Sequence, residues 1–164
     1  MGFSQASLLS KIGLGLCVAG LIFDLIGFPS PSWTTSTLNS VTFAYGLFQI
    51  CVYSSSSSQC AQITGVLPDW YDAVRALSII GFLLGLACVV VLCIYVLVKN
   101  DLKLLQICAL VLAFLSAIFI LAGAILYADK REHRNLGWSF ALAVVGAVLL
   151  LIGGIILTVD KIIA

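Results

Sequence analysis

Three stretches of this chain, residues 76–98, 104–128 and 135–159, run for 23, 25 and 25 residues without a single Asp, Glu, Lys or Arg. A hydrocarbon layer of about 30 Å is crossed by about 20 helical residues, so each stretch is long enough to span a bilayer. Backbone amides placed in lipid must bond within their own segment, which makes a helix the form expected for each. A fourth span is expected over residues 7–28, ending at Pro29-Ser30-Pro31, a turn that helices rarely cross. It carries Lys11 and Asp24 near its two ends, where a charged side chain can reach toward water. A cleaved signal peptide fits this segment poorly: 12 uncharged residues separate Lys11 from Asp24, and no small-x-small cleavage site leads into Pro29.

The charge content agrees with this reading. Charged residues are 9% of the chain and the mean hydropathy is +1.21, whereas soluble domains carry about a quarter charged residues. A net charge of +1 leaves no basic surface for a nucleic acid, so none is expected as a partner.

Four spans leave connections at 29–72, 99–103 and 129–135. The two short ones require antiparallel neighbours. The expected fold is therefore an all-α membrane protein, a four-helix antiparallel bundle forming one domain over residues 1–164. Its loops 29–72 and 129–135 share one side. The positive-inside count does not choose that side, because Lys11, Lys99, Lys103 and Lys161 oppose Arg75, Lys130, Arg131 and Arg134. The cysteines do. Of six, Cys51 and Cys60 alone fall outside the spans, and their spacing suits a disulfide-closed hairpin, which needs an oxidising compartment. The long loop is accordingly expected outside the cell and both termini in the cytoplasm, with the plasma membrane as the location.

Within that loop, Val41, Phe43, Tyr45 and Leu47 alternate with Thr42, Ala44 and Gly46, the period of a strand. Residues 48–53 are expected to pair with 59–66 as a hairpin turning in the serines of Cys51-Val-Tyr-Ser-Ser-Ser-Ser-Ser-Gln-Cys60. Five serines suit a polar, uncharged turn. The result is a small antiparallel sheet on the outer end of the bundle.

The order Trp33, Gly46-Leu47-Phe48, Cys51, Cys60, Leu67-Pro68 and Ala73-Val74-Arg75-Ala76-Leu77 resembles the first extracellular loop of the claudin superfamily. That superfamily also includes the peripheral myelin, epithelial membrane and lens fibre membrane proteins. Leu121-Ala122-Gly123, Gly137-Trp138-Ser139 and Gly153-Gly154 are similar to its later spans. The resemblance implies cell-cell contact or a paracellular barrier at junctions, built by association with copies of the chain or related proteins in the same and the opposing membrane. An auxiliary subunit of a channel or receptor, or a membrane-apposition protein of the myelin type, is the alternative. Phe48 stands where the family pattern has a second Trp; it keeps the aromatic surface and loses the indole donor. The ending Asp160-Lys-Ile-Ile-Ala164 lacks the Tyr-Val terminus by which many claudins dock to PDZ domains, so a PDZ scaffold is not an expected partner. Residues 29–68 hold no charged side chain, which argues against a strongly charge-selective pore.

Phe43, Tyr45, Tyr53 and Ser56 are the candidate contact surface. Asp24 and Arg75, both at the outer end, are expected to pair, since an ionisable group within a span is costly alone. Lone His133 is expected to be solvated in a charged turn. Cys17, Cys88, Cys93 and Cys108 are expected to pack as small apolar residues, with Cys93 and Cys108 near enough to the lysines to be palmitoylation candidates. Gly81-x-x-x-Gly85 and Ala143-x-x-x-Ala147 are faces for close helix approach within the bundle. No metal set, cofactor or catalytic constellation is expected, and the intramembrane Cys88–Cys93 spacing is not that of a thiol oxidoreductase.

Overall fold

A computed structural model describes residues 3–98, 101–131 and 135–163; Lys99, His133 and Arg134, for which expectations were stated above, lie outside the described residues. After a short 3-10 turn, the chain forms α1 (Leu8–Gly27), four strands β1 (Thr34–Leu38), β2 (Val41–Tyr45), β3 (Gln49–Tyr53) and β4 (Ser58–Gln62), then α2 (Asp69–Leu97), α3 (Lys103–Lys130), β5 (Asn135–Leu136) and α4 (Trp138–Ile163). All four α-helices are long and apolar enough to cross a membrane. The strands make one antiparallel sheet in the order β4-β3-β2-β1-β5.

Three helix boundaries differ from the expected ones by three residues or more, each for a physical reason. Helix α2 starts at Asp69 and not at 76. Pro68, lacking an N–H, stands just before its first turn, and Asp69 and Asp72 offset the positive end of the helix dipole. Helix α4 starts at Trp138 because Asn135 and Leu136 leave the apolar run to pair with Thr35 and Thr34 of β1. It also continues past 159, since Asp160 is buried and held from both sides. Ser7 Oγ and Ser10 Oγ of the α1 start donate to its carboxylate at 2.5 and 2.7 Å, and Gln106 Nε2 of α3 donates at 2.6 Å. Ser7 Oγ in turn accepts from the Ser10 N–H at 3.0 Å, capping α1.

Helix packing follows a seven-residue repeat. In α1 the buried positions are Ser10, Cys17 and Asp24, interleaved with Gly13, Gly20 and Gly27. In α4 they include Ser139, Gly146, Gly153 and Asp160 together with Ala143, Leu150 and Leu157. Such a repeat makes neighbouring helices meet along a continuous seam. Lipid supplies no hydrophobic force between helices, so small residues that allow close van der Waals contact carry the association. At the crossing, a Cβ added to Gly20 would lie 2.7 Å from the Gly146 carbonyl oxygen, and one added to Gly146 would lie 2.7 Å from that of Gly20. Gly81 of α2 meets α3 in the same way, and Ser116 Oγ donates to its carbonyl at 2.6 Å.

The hairpin is shorter than expected. Strand β3 pairs with β4 over 49–53 and 58–62, with Cys51 opposite Cys60. Ser58 belongs to β4, so four serines make the turn: the Ser54 N–H donates to Ser57 O at 2.8 Å, and the Ser57 N–H to Ser54 Oγ at 3.2 Å. Strands β1 and β5 were not legible in the pattern. Asn39 and Ser40, at φ 49° and 65°, make the tight turn that folds β1 onto β2.

Candidate functional site

The sheet is the part of the molecule with chemistry other than hydrocarbon to offer, and it is fastened to the bundle at three points. Trp33, 1% exposed, is the first. Its Nε1 donates to the carbonyl of Gly27 at 3.0 Å, satisfying an acceptor that the end of α1 would otherwise leave open. Its ring meets Tyr127 of α3 edge-on at 5.0 Å and Phe140 of α4 at 5.6 Å. Next to it, Thr34 Oγ1 and the Tyr127 hydroxyl are 2.7 Å apart, and the Gly137 N–H donates to Trp33 O at 2.8 Å.

The Gly46-Leu47-Phe48 segment is the second point. A Cβ on residue 46 would fall 2.7 Å from both Pro31 Cα and Ser30 O, so the chain passes there only as glycine. The Tyr71 hydroxyl of α2 donates to the Gly46 carbonyl. Leu47 is fully buried, and Phe48 sets its ring edge-on to Phe28 at 5.9 Å.

Arg75 is the third, and it corrects the expected ion pair. Its Nε donates to the Leu47 carbonyl at 2.5 Å, its guanidinium lies over Phe48 and Tyr71 at 5.4 and 5.0 Å, and its one ion pair among the described residues is to Asp72 at 3.4 Å. Asp24 is buried without any hydrogen-bond partner for its carboxylate among the described residues, packed beside Gly146 of α4. The helical extension of α2 lifts Arg75 toward the sheet, where a carbonyl and two rings receive it, while Asp24 turns into the α1–α4 seam. Substituting both residues with Ala should therefore cost stability additively, within about 0.5 kcal/mol, as unpaired sites do. A thermal-unfolding double-mutant cycle in detergent checks this; a coupling above that margin would restore the pair.

The disulfide joins Cys51 and Cys60 across β3 and β4. The other cysteines are free thiols: Cys17 and Cys88 pack inside as expected, Cys93 is half-buried, and Cys108 faces outward and so is not a core residue. Of the candidate contact residues, Tyr53 and Ser56 are exposed and Phe43 half-buried. Tyr45 is half-buried like Phe43. Its ring lies 5.7 Å from the Arg131 guanidinium, which also sits over Trp70 and Tyr127 at 5.6 and 5.7 Å. Sequence reasoning missed this arginine-centred group, because its members are spread over three segments, β2, α2 and the end of α3. It also missed the α1 glycine seam, whose signal, Gly13, Gly20 and Gly27 at intervals of seven, was there to be counted. Among the described residues no cluster of His, Cys, Asp or Glu could hold a metal ion.

Two comparisons bear on this arrangement. A sequence model of the PMP-22/EMP/MP20/Claudin family matches residues 6–157. No curated protein matches the chain.

Proposed function

The chain belongs to the PMP-22/EMP/MP20/Claudin family, and from that premise we propose that it mediates cell-cell contact or a paracellular barrier through association of its sheet with neighbouring copies or relatives. In this reading the sheet stands outside the plasma membrane at cell junctions, both termini are cytoplasmic, and the protein is not an enzyme. The supporting observation is the free edge of the sheet. Strand β4 closes the strand order on one side and every one of its residues, Ser58–Gln62, is exposed. Soluble proteins blunt such edges with Lys, Pro or bulges, because unpaired N–H and C=O groups recruit another strand. Strand β4 carries no charge and no proline, and neither does the serine turn leading into it. The disulfide holds this edge straight against β3, and the anchoring of Trp33, Leu47 and Arg75 presents it at a fixed height above the bundle.

Freeze-fracture imaging of non-adherent cells expressing the protein tests the reading. Continuous strands at contacts are expected; scattered particles would favour an auxiliary-subunit role. At residue level, Ser56→Glu places like charges on approaching copies at the exposed turn, and like-charge contact opposes association. It should lower crosslinking between copies several-fold at matched surface level while leaving the Cys51–Cys60 bond and the unfolding temperature unchanged. Unchanged crosslinking would take the serine turn out of the contact surface.

A further inference from the structure

Between the sheet and the ends of α2 and α3 lies a cavity of about 300 Å³. Tyr45 of β2, Ile50 of β3, Leu67 before α2, Trp70 and Tyr71 of α2, and Arg131 at the end of α3 are among its lining residues, and among the described residues Arg131 is the one charged side chain in that lining. The centroids of three rings lie 5.6–5.7 Å from the guanidinium carbon, contacts that use the cation's charge and supply no hydrogen-bond acceptor lone pair to its N–H donors. Its Nε is buried and has no hydrogen-bond partner, and the side chain forms no ion pair among the described residues. A charged donor buried without an acceptor is expensive, and the cost is removed by an anion that supplies one.

We propose that this cavity binds a single-chain amphiphile with a carboxylate head, the long-chain fatty acid class. The carboxylate takes the edge of Arg131, a fork that matches its two oxygens. The hydrocarbon lies along Ile50, Leu67 and Trp70. Three features narrow the occupant to this class. The walls other than Arg131 are mainly apolar, which a small hydrophilic anion would leave unused. The volume is at the low end for ligand cavities, so a two-chain phospholipid does not fit inside it. A second copy of this chain could not offer the anion from its sheet, because residues 29–68 contain no Asp or Glu. The position also suits an amphiphile, for the cavity lies where the apolar helices end and the polar sheet begins, and aromatic side chains and Arg favour that level of a membrane protein.

The test uses the full chain in detergent and a palmitate analogue carrying a diazirine and an alkyne. Photocrosslinks should map to peptides containing Ile50, Leu67 or Trp70, and excess palmitate should compete them away while hexadecanol does not. Arg131→Gln should reduce the crosslinking yield about tenfold, the size expected for one charge-assisted bond. Because that change also removes the guanidinium from three rings, Ile50→Trp is the second variant: it fills the cavity, leaves Arg131 in place, and should suppress crosslinking at an unchanged unfolding temperature. Equal competition by hexadecanol, undiminished yield in both variants, or crosslinks confined to the outward helix faces would overturn the assignment. So would labelling that palmitate does not compete but that falls as the protein is concentrated into dimers, which would give the cavity to a second copy.

Discussion

Gly20→Leu is expected to prevent α1 from seating on α4 and so to remove most folded protein, both from the cell surface and in detergent. A Cβ at this position would lie 2.7 Å from the Gly146 carbonyl oxygen and 3.1 Å from the Leu150 nitrogen. Both are backbone atoms of a helix, and no rotamer change clears them. Overpacking costs about 1–3 kcal/mol where neighbouring side chains yield. Here the two helices themselves must separate, so a loss of at least about 3 kcal/mol is expected, a factor of about 100 in the folded ratio. Gly15→Leu is the control, since a Cβ at position 15 meets nothing within 4 Å and leucine is the better helix former. Denaturant titration in micelles distinguishes them. If the two variants unfolded alike, the seam between α1 and α4 would not be where the protein is held together.

Trp33→Ala should detach the sheet while leaving the four helices assembled. The side chain is 1% exposed and sits among Tyr127 and Phe140, and large-to-small changes of buried aromatics cost about 3–5 kcal/mol. Trp33→Phe keeps the ring contacts and gives up the bond to the Gly27 carbonyl, about 1 kcal/mol. Hydrogen exchange resolves the location of the damage. Faster exchange is expected in β1, β2 and β5 and near-normal protection in α2 and α3. Strands β3 and β4 should be less affected, being joined by the disulfide and held to α2 through Leu47 and Arg75. Uniform loss of protection across all helices would mean that Trp33 supports the bundle itself.

These two variants probe different levels of the structure, and the sequence speaks to those levels unequally. The number of spans, their antiparallel order and the hairpin were legible because they follow from local rules. In an uncharged run such as 104–128 the backbone N–H and C=O groups can be satisfied in lipid within the segment only as a helix, and the spacing of Cys51 and Cys60 leaves a closed turn as the simple solution. The family resemblance rested in part on Trp33, Gly46, Leu47, Cys51, Cys60 and Arg75, and all six lie at the sheet anchors or in the disulfide by direct contact.

What the residues by themselves did not determine is who meets whom. Asp24 and Arg75 sit at the same end of the bundle, and charge alone favoured a pair; the lengthening of α2 to Asp69 and the rotation of α1 about its axis decided against it. Asp160, which in the sequence only bounds the uncharged run 135–159, is gathered by Ser7, Ser10 and Gln106 from α1 and α3. Tyr45, expected on the contact surface, is half-buried with its ring beside Arg131, distant in sequence but adjacent in space. Hydropathy and period record the medium a residue needs, which is local information. Partners are chosen by helix register and tilt, which depend on how the glycine seams close, and that is settled only when the whole bundle packs.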